Sequence, residues 1–142
     1  MIQFQTSIHI RRPQDEVFGV IADPETYPHW NSAVQAVRPV GDDNGRRRYR
    51  MERQLPSGPA DNLLEVVSAT PPEEVVIRTG DPPTPFIYRY GLRSVNGGTE
   101  LTVDAEVELE GLARLLGPLA GAAVKRGVDE NFSTLKRLLE RA

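Results

Sequence analysis

The sequence predicts an α+β domain: a seven-stranded antiparallel sheet with segregated helices. Three observations carry that reading. The chain opens on a period-two strand followed by two short helical segments. Six further strand-like segments come next, joined by links too short for crossovers, so neighbours pair antiparallel. The final stretch is one long amphipathic helix, about 36 Å if residues 118–141 are all helical.

Ile2, Phe4, Thr6, Ile8 and Ile10 alternate with Gln3, Gln5, Ser7 and His9, the pattern of a half-buried strand over 2–10. Pro13 stands at a first helical position, with Asp15 and Glu16 in the first turn where the helix dipole favours carboxylates. Val17, Phe18, Val20 and Ile21 supply the apolar side of that helix. Asp23-Pro24 ends it and opens a second short helix, with Asp23 as N-cap and Pro24 at N1. Tyr27-Pro28-His29-Trp30-Asn31 closes this second turn. Strands are expected at about 33–40, 46–55, 61–69, 73–80, 85–95 and 99–109. Turns separate them at Gly41-Asp42-Asp43-Asn44-Gly45, Pro56-Ser57-Gly58-Pro59, Pro71-Pro72, Asp81-Pro82-Pro83 and Asn96-Gly97-Gly98. Val95-Asn96-Gly97-Gly98-Thr99 is the clearest hairpin signal in the chain. Gly111 to Leu116 is a short apolar lead-in that Gly117-Pro118 breaks before the long helix begins. With no internal repeat, low-complexity tract or linker, residues 1–142 read as a single domain.

The long helix has an apolar face that changes size. Gly117, Ala120, Gly121, Val124, Val128, Asn131, Leu135, Leu138 and Leu139 share one broad arc, small at its start and bulky at its end. Laid on a curved sheet, such a helix packs solidly at one end and leaves room at the other. A pocket is therefore expected, and Gly121→Phe is expected to fill it.

Composition narrows the functions open to the chain. Its 142 residues are enough for one core and a small cavity. A net charge of −3 is too small to imply a nucleic-acid partner. There is no cysteine, which excludes disulfides, thiolate metal sites and cysteine nucleophiles. The N-terminus alternates instead of running from charged to apolar, unlike a signal peptide. No segment approaches the roughly 20 apolar residues of a membrane span. A cytoplasmic protein without stable membrane insertion is the expectation, its oligomeric state open.

Candidate chemistry is sparse. His9 and His29 are the only histidines, His9 on the polar face of the first strand and His29 near the expected cavity mouth. Without an acidic cluster beside them they make no metal site, and no metal or cofactor is expected. Arg46-Arg47-Arg48-Tyr49-Arg50 places Arg48 and Arg50 on one face with Glu52, and Tyr49 and Met51 on the other, as a solvated strand face would. Asp104, Glu106 and Glu108 alternate opposite Val103, Ala105 and Val107 and should face solvent. Three polar residues fall on apolar faces: Thr6, Arg53 and Asn131. For Asn131, a structural hydrogen bond and a ligand contact are both open. Arg53 shares parity with Tyr49 and Met51; either it frays toward the Pro56 turn or its planar fork faces an oxyanion or carboxylate on a ligand.

The order of elements resembles the START-like, Bet v 1-like (SRPBCC) superfamily, and within it the polyketide cyclase/dehydrase-like branch. The resemblance rests on Ile8-His9-Ile10-Arg11-Arg12-Pro13 leading into Asp15-Glu16-Val17-Phe18, on Ala22-Asp23-Pro24-Glu25-Thr26-Tyr27-Pro28-His29-Trp30, on Gly97-Gly98-Thr99-Glu100-Leu101-Thr102, and on the closing run from Asn131 to Glu140. It implies a helix-grip fold, a seven-stranded curved antiparallel sheet wrapped around a long C-terminal helix, with two short helices after strand 1. It also implies a cavity for lipids, polyketides or other bulky apolar molecules. The family shares no single catalytic set, so the resemblance names no catalytic residue.

The expected function is binding of a bulky apolar small molecule, lipid- or polyketide-like, between sheet and C-terminal helix. Candidate ligand-binding residues are Trp30, Tyr49, Met51, Arg53, Leu64, Tyr88, Tyr90, Gly121, Val124 and Asn131. The alternative is a polyketide aromatase/cyclase or dehydratase using the same cavity, with Arg53 or a tyrosine polarising a carbonyl. An interaction module ranks last, since no large exposed apolar stripe is visible.

Overall fold

Alternating side chains and tight turns generate a meander in the computed structural model, which describes residues 1–110 and 118–141. The strands are β1 (Ile2–Ile10), β2 (Val34–Asp43), β3 (Arg46–Leu55), β4 (Gly58–Thr70), β5 (Glu74–Thr79), β6 (Phe86–Val95) and β7 (Gly98–Val107). Helix α1 (Gln14–Ile21) and a 3-10 helix (Pro24–His29) follow β1, and α2 (Pro118–Arg141) ends the chain. One curved antiparallel sheet runs in the order β1-β7-β6-β5-β4-β3-β2, so every neighbour but β1–β7 is adjacent in sequence. Register shifts in β2 and β4 mark bulges that bend the strands. The lead-in Gly111–Leu116 and Gly117 lie outside the described residues.

Two strands run longer than their turn residues suggested. In the β2–β3 hairpin Asp43 pairs with Arg46, leaving Asn44 (φ 52°) and Gly45 (φ 78°) as a two-residue turn of left-handed residues. Gly41 does not end β2; it sits beside the shift between the Pro39 and Gly41 pairings. Likewise Leu55 pairs with Gly58, so Pro56-Ser57 alone turns the chain and β4 begins three residues earlier than 61. The Val95–Gly98 hairpin turns on Asn96-Gly97, as the sequence indicates. Pro13 is the N-cap of α1 and not its first residue, and Asp23 caps the 3-10 helix by accepting from the Glu25 amide at 3.1 Å.

The core lies between the concave sheet face and the helices. Ile10, Val17, Ile21, Leu64, Val75, Leu101, Val103 and Leu135 are all at most 1 % exposed. Burial along β1 alternates as its sequence predicts, except that His9 on the polar face is half-buried: its ring Nε2 donates to the Val95 carbonyl at 2.9 Å. Thr6, on the inward face, donates to the Asp129 carboxylate of α2. Phe132, which the arc omitted, is 2 % exposed, whereas Leu138 within the arc is 40 % exposed. The buried arc is thus rotated toward Phe132.

Helix α2 lies along β1 in the same direction. A Cβ on Gly121 would stand 3.6 Å from Ile2 Cγ2; Asp129 meets Thr6; Lys136 Nζ donates to the His9 carbonyl at 2.6 Å; and the Arg11 amide donates to Glu140 Oε2 at 2.8 Å. Helix and strand advance in step along this seam. From Gly121 to Glu140 the helix rises about 29 Å, and from Ile2 to Arg11 the strand covers about 30 Å. The Arg12 Nε donates to the Leu139 carbonyl at 2.6 Å and helps satisfy the helix C-terminus.

Candidate ligand cavity

The seam on β1 turns one stripe of α2 toward the rest of the sheet. Ala120, Ala123, Val124, Gly127, Val128 and Asn131, spaced i, i+3, i+4, i+7, i+8 and i+11, line a cavity of about 450 Å³. Below them, Phe132 and Leu135 are bulky and fully packed. The gradation of side-chain size along the helix thus coincides with the change from hollow to solid core. Across the cavity stand Met51 and Arg53 of β3, Ile77 of β5, and Phe86, Tyr88 and Tyr90 of β6. The cavity is partly open to solvent.

Six of the residues named from the sequence meet at this cavity: Met51, Arg53, Tyr88, Tyr90, Val124 and Asn131. Four do not, and each has a physical reason. Trp30 is buried under the 3-10 helix, edge-on to Tyr27 with centroids 5.2 Å apart, and its Nε1 donates to Thr26 Oγ1 at 3.4 Å. Tyr27, its neighbour, is the aromatic that reaches the cavity. Tyr49 and Leu64 face each other in the β3–β4 register. They share the concave face but lie about 7 Å along the strand from Met51, beside Arg47, which donates both to the Tyr49 hydroxyl and to the Ala22 carbonyl. Gly121 faces Ile2, so a phenylalanine there would press on β1 and not fill the hollow. His29 is exposed and outside the lining.

Arg53 points inward and does not fray. It is 8 % exposed; its Nε donates to Asn62 Oδ1 at 2.7 Å, its Nη2 to the Thr84 carbonyl at 3.5 Å, and Cζ stands 5.4 Å from the Phe86 ring centroid. Asn62 is itself 1 % exposed and fixed by donating to the Pro82 carbonyl at 3.2 Å. Burial pulls the Arg53 guanidinium below its ordinary value, against the fields of Tyr88 and Asp81, and it remains a cation at neutral pH. Burial pushes the Tyr88 phenol up to about 12 and Tyr90 well above its ordinary value, so both are protonated donors.

Asn131 accepts from the Ser32 amide at 3.1 Å and its hydroxyl at 3.4 Å. Both open readings therefore have a place on this one side chain: Oδ1 ties α2 to the loop before β2, and Nδ2 has no partner among the described residues. Thr84, a loop residue with no periodic signal, has its Oγ1 sealed from solvent without a hydrogen bond. Gly127 and Ala123 continue the helical spacing of Ala120 and Val124 and were legible by that spacing alone. Among the described residues no group of His, Asp or Glu could hold a metal ion, and the cavity lining contains neither histidine nor carboxylate. The arrangement can enclose an apolar body, donate hydrogen bonds and stabilise negative charge; among the described residues its lining holds no carboxylate or imidazole to accept a proton.

The fold is shared widely. A conserved protein from Geobacillus kaustophilus matches with a TM-score of 0.82 at 19% identity, over 99% of this chain and 96% of its own. A START superfamily protein from Mycobacterium smegmatis matches with a TM-score of 0.75 at 18% identity, over 99% and 95%. The di-domain ARO/CYC BexL from the BE-7585A biosynthetic pathway gives a TM-score of 0.72 at 17% identity, over 98% of this chain and 48% of its own. Comparison with the curated proteins gives no match. No helix among the described residues is long and apolar enough to cross a membrane. A family model described as polyketide cyclase / dehydrase and lipid transport matches residues 1–140, and the chain belongs to that family.

Proposed function

We propose that the protein binds a bulky, mainly apolar small molecule in the cavity between α2 and the sheet. One observation carries this reading: a hollow of about 450 Å³, within the range of small-molecule sites, is walled by small apolar residues of α2 where close packing would otherwise close it. Pocket-forming gaps of this size are not tolerated in ordinary cores, where each missing contact costs stability. The test is titration with the neutral, apolar fluorophore N-phenyl-1-naphthylamine, together with native mass spectrometry of freshly purified protein. Saturable fluorescence enhancement at one site per chain is expected. A flat titration with no co-purifying small molecule overturns the reading.

A second reading is supported by Arg53 and the protonated Tyr88 on one wall, a pair able to polarise a carbonyl in a folded poly-β-ketone. The similarity to an ARO/CYC protein is consistent with it. In that case the cavity acts mainly through proximity, positioning the chain for ring closure while solvent serves as base. Incubation with a poly-β-ketone thioester, followed by product analysis, tests it. Cyclised product must depend on Arg53; full activity in Arg53→Met eliminates this mechanism.

A further inference from the structure

A cation this well buried normally has a carboxylate beside it, because desolvation of an unpaired charge is costly. Arg53 has none in contact: no ion pair involving it occurs among the described residues, its partners are a side-chain amide, a backbone carbonyl and an aromatic face, and the Asp81 carboxylate acts on it only from farther off. Of its five N–H groups, Nε–H and one hydrogen of Nη2 are engaged. The end-on edge, Nη1 with the second Nη2 hydrogen, is unmatched, and these atoms are not among those sealed from solvent without a partner. That edge therefore opens on the cavity. Arg53 is also the one charged side chain in the described lining.

A further donor stands on the same wall without a partner among the described residues. The Tyr88 hydroxyl has no hydrogen-bond partner among the described residues, and its ring stacks on Phe86, over which Arg53 lies. Charged donors shielded from bulk water are nearly always matched, so the unmatched Arg53 edge beside the Tyr88 hydroxyl marks a place for an acceptor. Tyr90, Gln54 and Ser57 add polar groups to the lining, and most of the remaining side chains near Arg53 are apolar.

Resting on the proposed binding function, we infer that the occupant is an amphipathic carboxylic acid: an apolar body against α2 and a carboxylate on the Arg53 fork, assisted by the Tyr88 hydroxyl. The planar, monoanionic head matches a single guanidinium edge bidentately. It also matches the single charge of Arg53, whereas a phosphate monoester would bring about two negative charges to one cation.

The test compares dodecanoate with 1-dodecanol, each displacing N-phenyl-1-naphthylamine from the intact protein, in wild type, Arg53→Met and Arg53→Lys. Wild type should prefer the acid by about tenfold or more, the least a charge-assisted hydrogen bond contributes. In Arg53→Met the ratio of acid to alcohol affinity should fall toward one; Arg53→Lys should keep part of the preference. Equal affinity of wild type for acid and alcohol overturns the inference, as does an acid preference that survives in Arg53→Met. Fluorophore binding without acid preference removes this inference and leaves the cavity function standing; absence of all binding removes both. Because the wild-type comparison needs no variant, the outcome holds even where Arg53→Met folds poorly.

Discussion

Gly127 offers a direct way to close the cavity from the helix side. A Cβ built there meets nothing within 4 Å, its φ is not left-handed, and it lies in the stripe that faces the sheet. Gly127→Ala should therefore raise stability by about 1 kcal/mol through helix propensity alone, a rise of roughly 4 °C in Tm for a domain of this size. It should leave binding nearly unchanged. Gly127→Phe adds a ring able to bury about 150–250 Å² within the hollow, so it should fold at least as stably as wild type. A ligand sharing that space then meets an overpacked site, at a cost of about 1–3 kcal/mol, or roughly 5- to 150-fold in Kd. Thermal melts and titration with N-phenyl-1-naphthylamine report the two effects separately. Gly121→Phe is the control: facing Ile2, it should lower Tm by disturbing the α2–β1 seam. A Gly127→Phe protein that is fully folded and binds with unchanged affinity would refute the assignment of this stripe as a cavity wall.

Three further outcomes follow from individual residues. Glu140 accepts from Lys136, from the Arg11 amide and from the Arg11 side chain, which hold its carboxyl at about 2 against an ordinary value of 4.5. A depressed acid stabilises the fold above its unfolded value and loses that contribution as pH falls through the folded one. The difference in urea midpoint between wild type and Glu140→Gln should hence be full near neutrality and close between about pH 4.5 and 2; a difference independent of pH contradicts the contact. The Tyr88 phenol, raised to about 12 by burial, should remain protonated while the fold persists. Tyrosinate absorbance near pH 11 should be equal in wild type and Tyr88→Phe, and the stability linked to this phenol should fall as pH rises from about 10 through 12. Extra tyrosinate absorbance in folded wild type counts against its burial. At Gly98 a Cβ would lie 2.5 Å from the Ile10 carbonyl oxygen, a backbone atom that cannot step aside. Gly98→Ala should cost more than about 2 kcal/mol in chemical denaturation, and a neutral result would show that β1 and β7 can separate there.

The strands were legible because each obeys a period of two and is closed by Asn-Gly or Pro-containing turns. Where the boundaries slipped, in β2 and at the start of β4, the cause was a glycine or proline that marks a bulge or lies within a paired segment instead of ending it. Parity also placed Tyr49, Met51 and Arg53 correctly on the inner face. What parity cannot give is position along that face. Tyr49 and Leu64 point the same way as Met51, yet the β3–β4 register sets them at a solid level of the core. Helical spacing has the matching blind spot. It groups Gly121 with Val124, but β1 takes the first and the cavity the second. Trp30 against Tyr27 depended on the path of the 3-10 helix, and Thr84 on a loop with no period at all; neither left a trace in the one-dimensional pattern.

The ladder of polar ties joining α2 to β1 decides which way the molecule can breathe. From Asp129–Thr6 to Glu140–Arg11 that flank is riveted over three helical turns. On the far flank Asn131 meets Ser32 through one half-exposed amide. For the binding role proposed above, a guest would exchange at lower cost past the loop before β2 than past β1, with the first strand as the jamb of the door.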